Sequence, residues 1–435
     1  MFKPTTRLSE SLPPLIFGTA TFNYQFNPDP FALGPDAIVQ HALAHGIRAF
    51  DTSPYYGPSE DILGTALSTH FVRQHYPREQ YVILTKAGRV SADSFDYSPA
   101  WIRHSVKRSC KRLRTQYLDL VYCHDVEFVS PDEVLGAVRE LRHLRDETGM
   151  LKYVGISGYP VTVLCDLAEM ILQETGEPLD AVMSYANFTL QNTRLLSEGL
   201  PRLLAAGVDV IPNASPLGMG LLRRQGPPIG AMGNWHPAPD ELRQAIAAAS
   251  EWIDSQGEKL EVVAFRFALE TWMREGAKAG ALGGSLTPTG EAYQSQSKSV
   301  GKLGVTVMGV SKIEELDETM RVWRSVVDGL VDDLDQDHGS ITPRDAVSDH
   351  EWSLQRRQRI RVLAKSIRGV IGQWADFAWA SPDPKFVNKP NSSDWNDEEI
   401  FSEMRQGSAI PSALVTPPSE PVDSGSTVEI PGVQF

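Results

Sequence analysis

The sequence predicts an α/β protein built on a parallel (β/α)₈ barrel, and three observations lead there. Short apolar, β-rich runs alternate with longer amphipathic stretches from about residue 14 to 326. The runs number eight, the count that closes a parallel sheet on itself. The fingerprint of the rival open sheet, a G-x-G-x-x-G turn after the first strand, is missing. That strand runs into FGTATFN, and the one G-x-G, at 218–220, continues as Leu-Leu-Arg.

Each element has a local reason. The strand-like runs fall at 15–18, 47–51, 81–86, 118–124, 153–157, 181–184, 208–213 and 304–310. Helical patterns occupy 35–44, 59–69, 98–113, 131–147, 161–174, 192–206, 239–255, 260–274 and 313–326. Ser98-Pro99 and Ser130-Pro131 each set a hydroxyl cap before a proline at the first helical position. Gly46 and Gly207 stand where a left-handed helix stop needs no side chain. The barrel is expected over 12–330, with a flexible Gly/Ser/Thr/Gln-rich insertion at 280–302. A helical extension is expected at 331–380, packed on the barrel. The acidic, Ser/Pro-rich tail at 381–435 has too little apolar content to order itself.

Composition narrows the function. The 435 residues carry 41 basic against 55 acidic side chains, a formal charge of −14, which argues against a nucleic-acid partner. No run approaches 18 uncharged apolar residues, so no membrane span is expected, and MFKPTTRLSE lacks the apolar core of a secretory signal. Cys110, Cys123 and Cys165 are scattered and odd in number, which suits a reduced, cytoplasmic setting.

In such a barrel the chemistry gathers at the carboxyl ends of the strands. Six apolar runs end on polar residues: Asp51, Lys86, His124, Ser157, Ser184 and Asn213. Taken singly, Asp51 could cap a turn, Lys86 could face solvent, and His124 could be a satisfied core histidine. Tyr55 and Tyr56, in the loop after Asp51, could be packing. Together at one end of one barrel they suggest a convergent site, in which a buried lysine needs Asp51 as its partner. A metal centre on Asp51, His124, Asp125 and Glu127 is the rival chemistry. It lacks the paired histidines of barrel hydrolases, and no metal is expected.

At DTSPYYG the chain resembles the aldo-keto reductases, barrels that bind a nicotinamide dinucleotide without a Rossmann fold. The resemblance covers about residues 12–330. It implies a tetrad of Asp51, Tyr56, Lys86 and His124, with Tyr56 as general acid/base. RAFDTSPYYGPSEDILGTAL, KYVGISGYP, VMSYANFTL and VDVIPNASPLGMGLL resemble a narrower branch, the D-arabinose 1-dehydrogenases and L-galactose dehydrogenases. That branch implies oxidation of an aldose at its anomeric carbon to the lactone, on routes to ascorbate-like compounds. Dinucleotide contacts are implied at Gly18, Thr19, Asp51, Ser157, Ser184, Asn187, Ser215, Leu217, Gly309, Ser311, Lys312 and Glu315. Three positions depart from the family: Ser184 replaces a common Gln, Gly158 a common Asn, and Ala214 the aromatic that stacks on nicotinamide. Glu315, where users of the 2′-phosphorylated cofactor carry arginine, predicts NAD over NADP; Thr319 replaces their adenine-binding Asn. HDVEFVSP and GNWHPAPDEL, with Trp235 and His236, are expected to give the polar rim of a sugar site. A general aldehyde or ketone reductase stays open. So does a non-enzymatic dinucleotide-binding subunit, with the tail as a docking arm for unknown partners, of the kind that potassium-channel β subunits resemble in part.

Overall fold

The computed structural model describes residues 3–227, 236–282, 301–331, 350–389 and 391. In chain order the elements are α1 (Leu8–Ser11), β1 (Leu15–Gly18), α2 (Pro35–Ala44), β2 (Ala49–Asp51), α3 (Ser59–Leu67) and α4 (His70–His75). There follow β3 (Val82–Ala87), α5 (Pro99–Arg112), β4 (Leu118–His124), α6 (Pro131–Thr148), β5 (Leu151–Gly158), α7 (Val161–Thr175) and β6 (Ala181–Tyr185). The last are α8 (Leu200–Ala205), β7 (Asn213–Ala214), α9 (Asp240–Ser255), α10 (Leu260–Glu275), β8 (Thr306–Gly309), α11 (Ile313–Val331) and α12 (His350–Ile371). Among the described residues, eight parallel strands close into the predicted barrel, sealed where Leu15 to Gly18 of β1 pair with Thr306 to Gly309 of β8.

The period-two alternation of a strand decides which residues can meet. Ile16, Ala49, Leu84, Leu120, Tyr122, Met183 and Val307 share one interior cluster. Their neighbours Phe17, Phe50, Ile83, Val121, Cys123 and Val182 belong to the layer shared with the helices. Two residues on from Ala49, Leu84 and Tyr122 stand Asp51, Lys86 and His124, so the same parity carries these polar groups to the barrel's carboxyl end. Ser157 is register partner to His124.

The outer helices follow their caps. Ser130 accepts from the Glu133 N–H, and Glu133 returns a bond to the Ser130 N–H, a capping box ahead of α6. Gly149, at φ 67°, ends that helix. Two elements differ from the sequence pattern. The seventh strand is Asn213–Ala214 rather than 208–213, because Pro212 has no N–H for the ladder and Val210 makes only an isolated bridge to Ala181. The helix expected over 192–206 is a π-turn at Leu195–Gly199 followed by α8. Pro201 cannot donate to the preceding turn, and the helix widens before it.

Beyond the barrel, α12 lays Ile360, Leu363, Ala364, Ile367 and Ile371 into one cluster with Leu242, Ile246 and Ile253 of α9 and Val263 of α10. Each of the isoleucine, leucine and valine side chains contributes about 1.5–3 kcal/mol on burial. The chain then crosses to the loops that follow β3 and β4. Trp379 stacks on Tyr159 (centroids 4.7 Å apart, planes 6° apart), and Phe386 meets Phe95 and Phe128 edge-on. The Phe95 N–H donates to Asn388 Oδ1 at 2.8 Å, Asn388 Nδ2 donates to the Phe95 carbonyl at 2.9 Å, and the Lys389 N–H donates to the Asp93 carbonyl at 2.9 Å.

This corrects the expected start of an unpacked tail at residue 381. Low apolar content prevents a segment from folding alone, but here the barrel loops supply the partners. The insertion's ends meet as an antiparallel bridge, Ala281 to Leu303, while 283–300 and 392–435 lie outside the described residues.

A chain ending at Asn391 is therefore expected to keep the amide protection of Phe95, and one ending at Ala380 to lose it. Hydrogen exchange at that amide checks this; equal protection in both would contradict the contact.

Candidate active site

The β2 and β3 ends place the two charges. Lys86 Nζ donates to Asp51 Oδ1 at 2.7 Å and to the Thr52 carbonyl at 2.9 Å, with side chains only 2% and 5% exposed. At that burial desolvation offsets much of the pair's attraction, but removing one partner would strand a charge at a cost of about 3–5 kcal/mol. Tyr56, half-buried in the loop after β2, lies with its ring centroid 4.8 Å from Lys86 Nζ. Its ring stands edge-on to His124, centroids 5.8 Å apart and planes at 87°. The four residues of the proposed tetrad thus come together.

The sequence reading missed Ser53. Its Oγ accepts from the Tyr55 N–H at 3.1 Å and pairs with His124 Nδ1 at 3.1 Å, and Asp125 Oδ2, 3.6 Å from Nε2, favours the tautomer in which Nδ1 accepts. With Nδ1 accepting, the imidazole's proton sits on Nε2. The signal was the hydroxyl two residues after Asp51 in a loop that returns toward β4, a contact only the folded chain reveals.

The electrostatics follow from enclosure. Burial pushes His124 down to about 3, only partly opposed by Asp125, so the imidazole is neutral over the working range. Burial raises the Asp51 carboxyl above its ordinary value, with Lys86 pulling it back. Burial works against the Lys86 ammonium, but Asp51 and Tyr56 outweigh it and hold its pKa above the ordinary value. For Tyr56, burial raises the pKa and Lys86 lowers it, with a net rise. Lys86 thus lowers the phenol's pKa by its own contribution, while burial keeps the sum above the ordinary value.

A wall of charged and aromatic groups adjoins these four. Arg89 lies over the Tyr55 ring, 3.6 Å from its centroid, and is ion-paired with Asp125. Glu127 Oε1 accepts from the Tyr159 N–H at 3.1 Å and from Ser381 Oγ at 2.9 Å. A Cβ on Gly158 would collide with Glu127 Oε2, so that carboxyl fills the place of a side chain there. Burial, then Asp125, pushes Glu127 up to about 7. The carboxylates of the rival metal set are thus engaged separately: Asp51 with Lys86, Asp125 with Arg89, Glu127 with Tyr159 and Ser381.

The profile of the Aldo/keto reductase family matches residues 14–336. The chain belongs to the aldo-keto reductase family. It is 43% identical over 268 residues to a D-arabinose 1-dehydrogenase of Saccharomyces cerevisiae, covering 61% of this chain and 78% of that one. It is 37% identical over 258 residues to an L-galactose dehydrogenase of Arabidopsis thaliana (58% and 75% covered). A D-threo-aldose 1-dehydrogenase of a Pseudomonas species is 27% identical over 290 residues (60% and 83% covered).

Aldo-keto reductases use nicotinamide cofactors, and this one's mouth has features that fit such a group. Asp51 Oδ2 is buried without a donor, a place for a ligand hydroxyl. Ser215 and Leu217 are half-buried in the loop after β7, and Ser311 and Lys312 flank the start of α11. Ser157, at the β5 end, donates weakly to the Cys123 carbonyl at 3.3 Å. Exposed Gly309 ends β8, and a Cβ on Gly18 would press Val307 at 3.0 Å.

Other expected contacts are committed inside the protein. Thr19 donates its N–H to the Asp51 carbonyl at 2.8 Å, and its hydroxyl pairs with Ser59 Oγ at 2.6 Å. Ser184 accepts from Asn187 Nδ2 at 3.0 Å, and Asn187 Oδ1 accepts from Asn192 at 3.0 Å. Asn213 Nδ2 donates to the Phe188 carbonyl at 3.0 Å. Ser184 and Asn213 sit one residue out of phase with interior Met183 and Ala214, so the six strand-end groups do not all converge. His236 is buried against the Gly218 carbonyl, 3.0 Å away, rather than on a rim. Trp235 lies outside the described residues.

The hydrogen-bond pattern predicts that His124 keeps its Nε2–H tautomer and does not titrate between about pH 5 and 8, since its pKa is depressed. Imidazole ¹⁵N shifts would read this, and Ser53→Ala should blur the tautomer. A titration near the ordinary value would contradict the burial argument.

Proposed function

We propose that this aldo-keto reductase oxidises the anomeric C1–OH of an aldose of the D-arabinose or L-galactose type to the lactone. The observation that carries the reading is the buried Lys86–Asp51 pair set beside Tyr56 and His124. The sugar 1-dehydrogenase names of the relatives support the substrate class. When bound, the nicotinamide supplies the hydride acceptor for C1.

The residues supply the proton chemistry. Tyrosine at its ordinary value of about 10 is a poor base near neutrality. Lys86, charged and aimed by Asp51, favours the phenolate and counters the rise that burial imposes on Tyr56. Phenolate Tyr56 takes the proton of the C1 hydroxyl. The Nε2–H of His124 donates to the same oxygen and fixes its direction toward Tyr56. In the opposite direction Tyr56 returns the proton to a carbonyl oxygen. Arg89, Asp125 and Tyr55 give the mouth a polar wall suited to a hydroxyl-rich ring, which favours a sugar over the apolar substrates of a general aldehyde reductase. The presence of all four reacting groups weighs against a purely regulatory barrel.

For the cofactor we propose Asp51, Ser157, Ser215, Leu217, Ser311 and Lys312 as holding groups, with NAD preferred over NADP. Glu315 accepts from the Ser311 N–H at 2.8 Å, and Glu314 stands exposed beside it. Glu315 is therefore already bonded, and its part in the preference is the negative field it adds at the start of α11. A 2′-phosphate there would meet carboxylates, with Lys312 as partial relief.

Three results are expected together. In a panel of aldoses with both oxidised cofactors, pyranoses of the D-arabinose or L-galactose type should give the highest kcat/KM. NAD should exceed NADP, by less in Glu315→Arg. Tyr56→Phe should lose about 10²–10⁴-fold in kcat while dinucleotide affinity stays near normal. Simple aldehydes outrunning all sugars in the reductive direction would overturn the substrate class. Equal specificity for the two cofactors would overturn the preference.

A further inference from the structure

On the outside of the barrel, the end of α2 and the start of α11 bring three ligand-type atoms to one point. His41 lies in the last turn of α2 and His45, one turn on, caps that helix, while Asp317 faces them from α11. His41 Nε2 lies 2.7 Å from Asp317 Oδ1, His45 Nε2 lies 3.1 Å from the same oxygen, and the two nitrogens are 3.0 Å apart. Among the described residues this is the one group of three or more His, Cys, Asp or Glu side chains with metal-ligand spacing. We propose that His41, His45 and Asp317 form a zinc-class divalent metal site that clamps the last barrel helix to the first long one.

The geometry needs little adjustment. Tetrahedral zinc at ~2.0–2.1 Å from each atom sets its ligands about 3.3 Å apart, so the three contacts lengthen by roughly 0.2 to 0.6 Å. All three side chains are partly exposed, at 34%, 22% and 42%, which leaves room for water as a fourth ligand. Two imidazoles and one carboxylate suit zinc or its first-row neighbours and give a poor match to calcium or magnesium. A hydrogen-bonded trio is the alternative, in which both Nε2–H groups donate to Asp317 Oδ1 and two like N–H dipoles are held 3.0 Å apart.

Arg324 works against the metal-bound arrangement. Its Nη2 lies 3.0 Å from His45 Nδ1, so without metal Nδ1 accepts and Nε2 holds the proton. Binding through Nε2 moves that proton to Nδ1, where a guanidinium is the wrong partner. Arg324 must swing away, and it taxes the site. Glutamine at 324 could accept the Nδ1–H instead, the usual outer support of a ligating histidine. The clamp also bears on the dinucleotide end of the barrel, because Asp317 lies two residues beyond Glu315.

The test uses the full chain, stripped with chelator, titrated with Zn²⁺ by calorimetry and with Co²⁺ by visible absorption. One equivalent should bind, with the Co²⁺ spectrum of a tetrahedral nitrogen–oxygen site. Asp317→Asn and His41→Gln should each weaken that equivalent at least tenfold, and Arg324→Gln should tighten it. Two results overturn the proposal: no stoichiometric binding by the unmodified chain, or binding unchanged in both ligand variants. Weaker binding in Arg324→Gln would overturn the assigned role of Arg324. Either ligand variant suffices if the other does not fold.

Discussion

The buried contact between Lys86 and Asp51 is the constraint on which the rest of this site depends. An ammonium and a carboxylate removed from water are tolerable only when each faces the other at hydrogen-bond distance, here 2.7 Å. That requirement ties the end of β2 to the end of β3 and leaves Asp51 Oδ2 unpartnered inside the mouth. It also places a fixed positive charge beside Tyr56, in surroundings that would otherwise hold a phenol neutral. His124 contributes the complementary property, a neutral imidazole with a defined proton, because Ser53 occupies its other nitrogen. The chemistry of the mouth is therefore set by hydrogen bonds among backbone-anchored groups, not by the tyrosine alone.

Much of this could be read in the residues, and the reason is periodicity. Apolar runs ending on Asp51, Lys86 and His124 continue the inward parity of Ala49, Leu84 and Tyr122, so their convergence follows once the barrel closes. The same rule excluded what polarity at a strand end seemed to promise. Ser184 and Asn213 fall on the opposite parity and serve the loop after β6, together with Asn187 and Asn192. Sequence patterning marks where a strand ends but not its phase relative to its neighbours. Pro212 and Pro201 show a second limit, since the hydrophobic pattern continues through both while the missing N–H shortens a strand and widens a helix.

Contacts between residues far apart in sequence were the least legible. Nothing near Phe95 announces that Asn388 will pair with its backbone, or that Phe386 will close on Phe95 and Phe128. Likewise the i, i+4 histidines at the end of α2 look like ordinary surface until α11 brings Asp317 across. The C-terminal segment shares one physical lesson with Glu127. A chain too polar to fold alone can be ordered by a barrel that offers it partners, and Glu127 bonds both Tyr159 of β5's loop and Ser381 of that segment. The framework behind the mouth is thus completed from the far end of the chain.

The most direct measurement of the central claim is the pH dependence of sugar oxidation in the unmodified protein and in Lys86→Met. Tyr56 must be a phenolate to accept the proton. Burial raises its pKa, Lys86 lowers it, and Asp51 left without its lysine raises it further. Removing the ammonium should therefore suppress oxidation near neutrality and shift the rising limb to higher pH, with partial recovery as the unassisted phenol ionises. A Lys86→Met profile that overlays the unmodified one, whatever its height, would contradict the account.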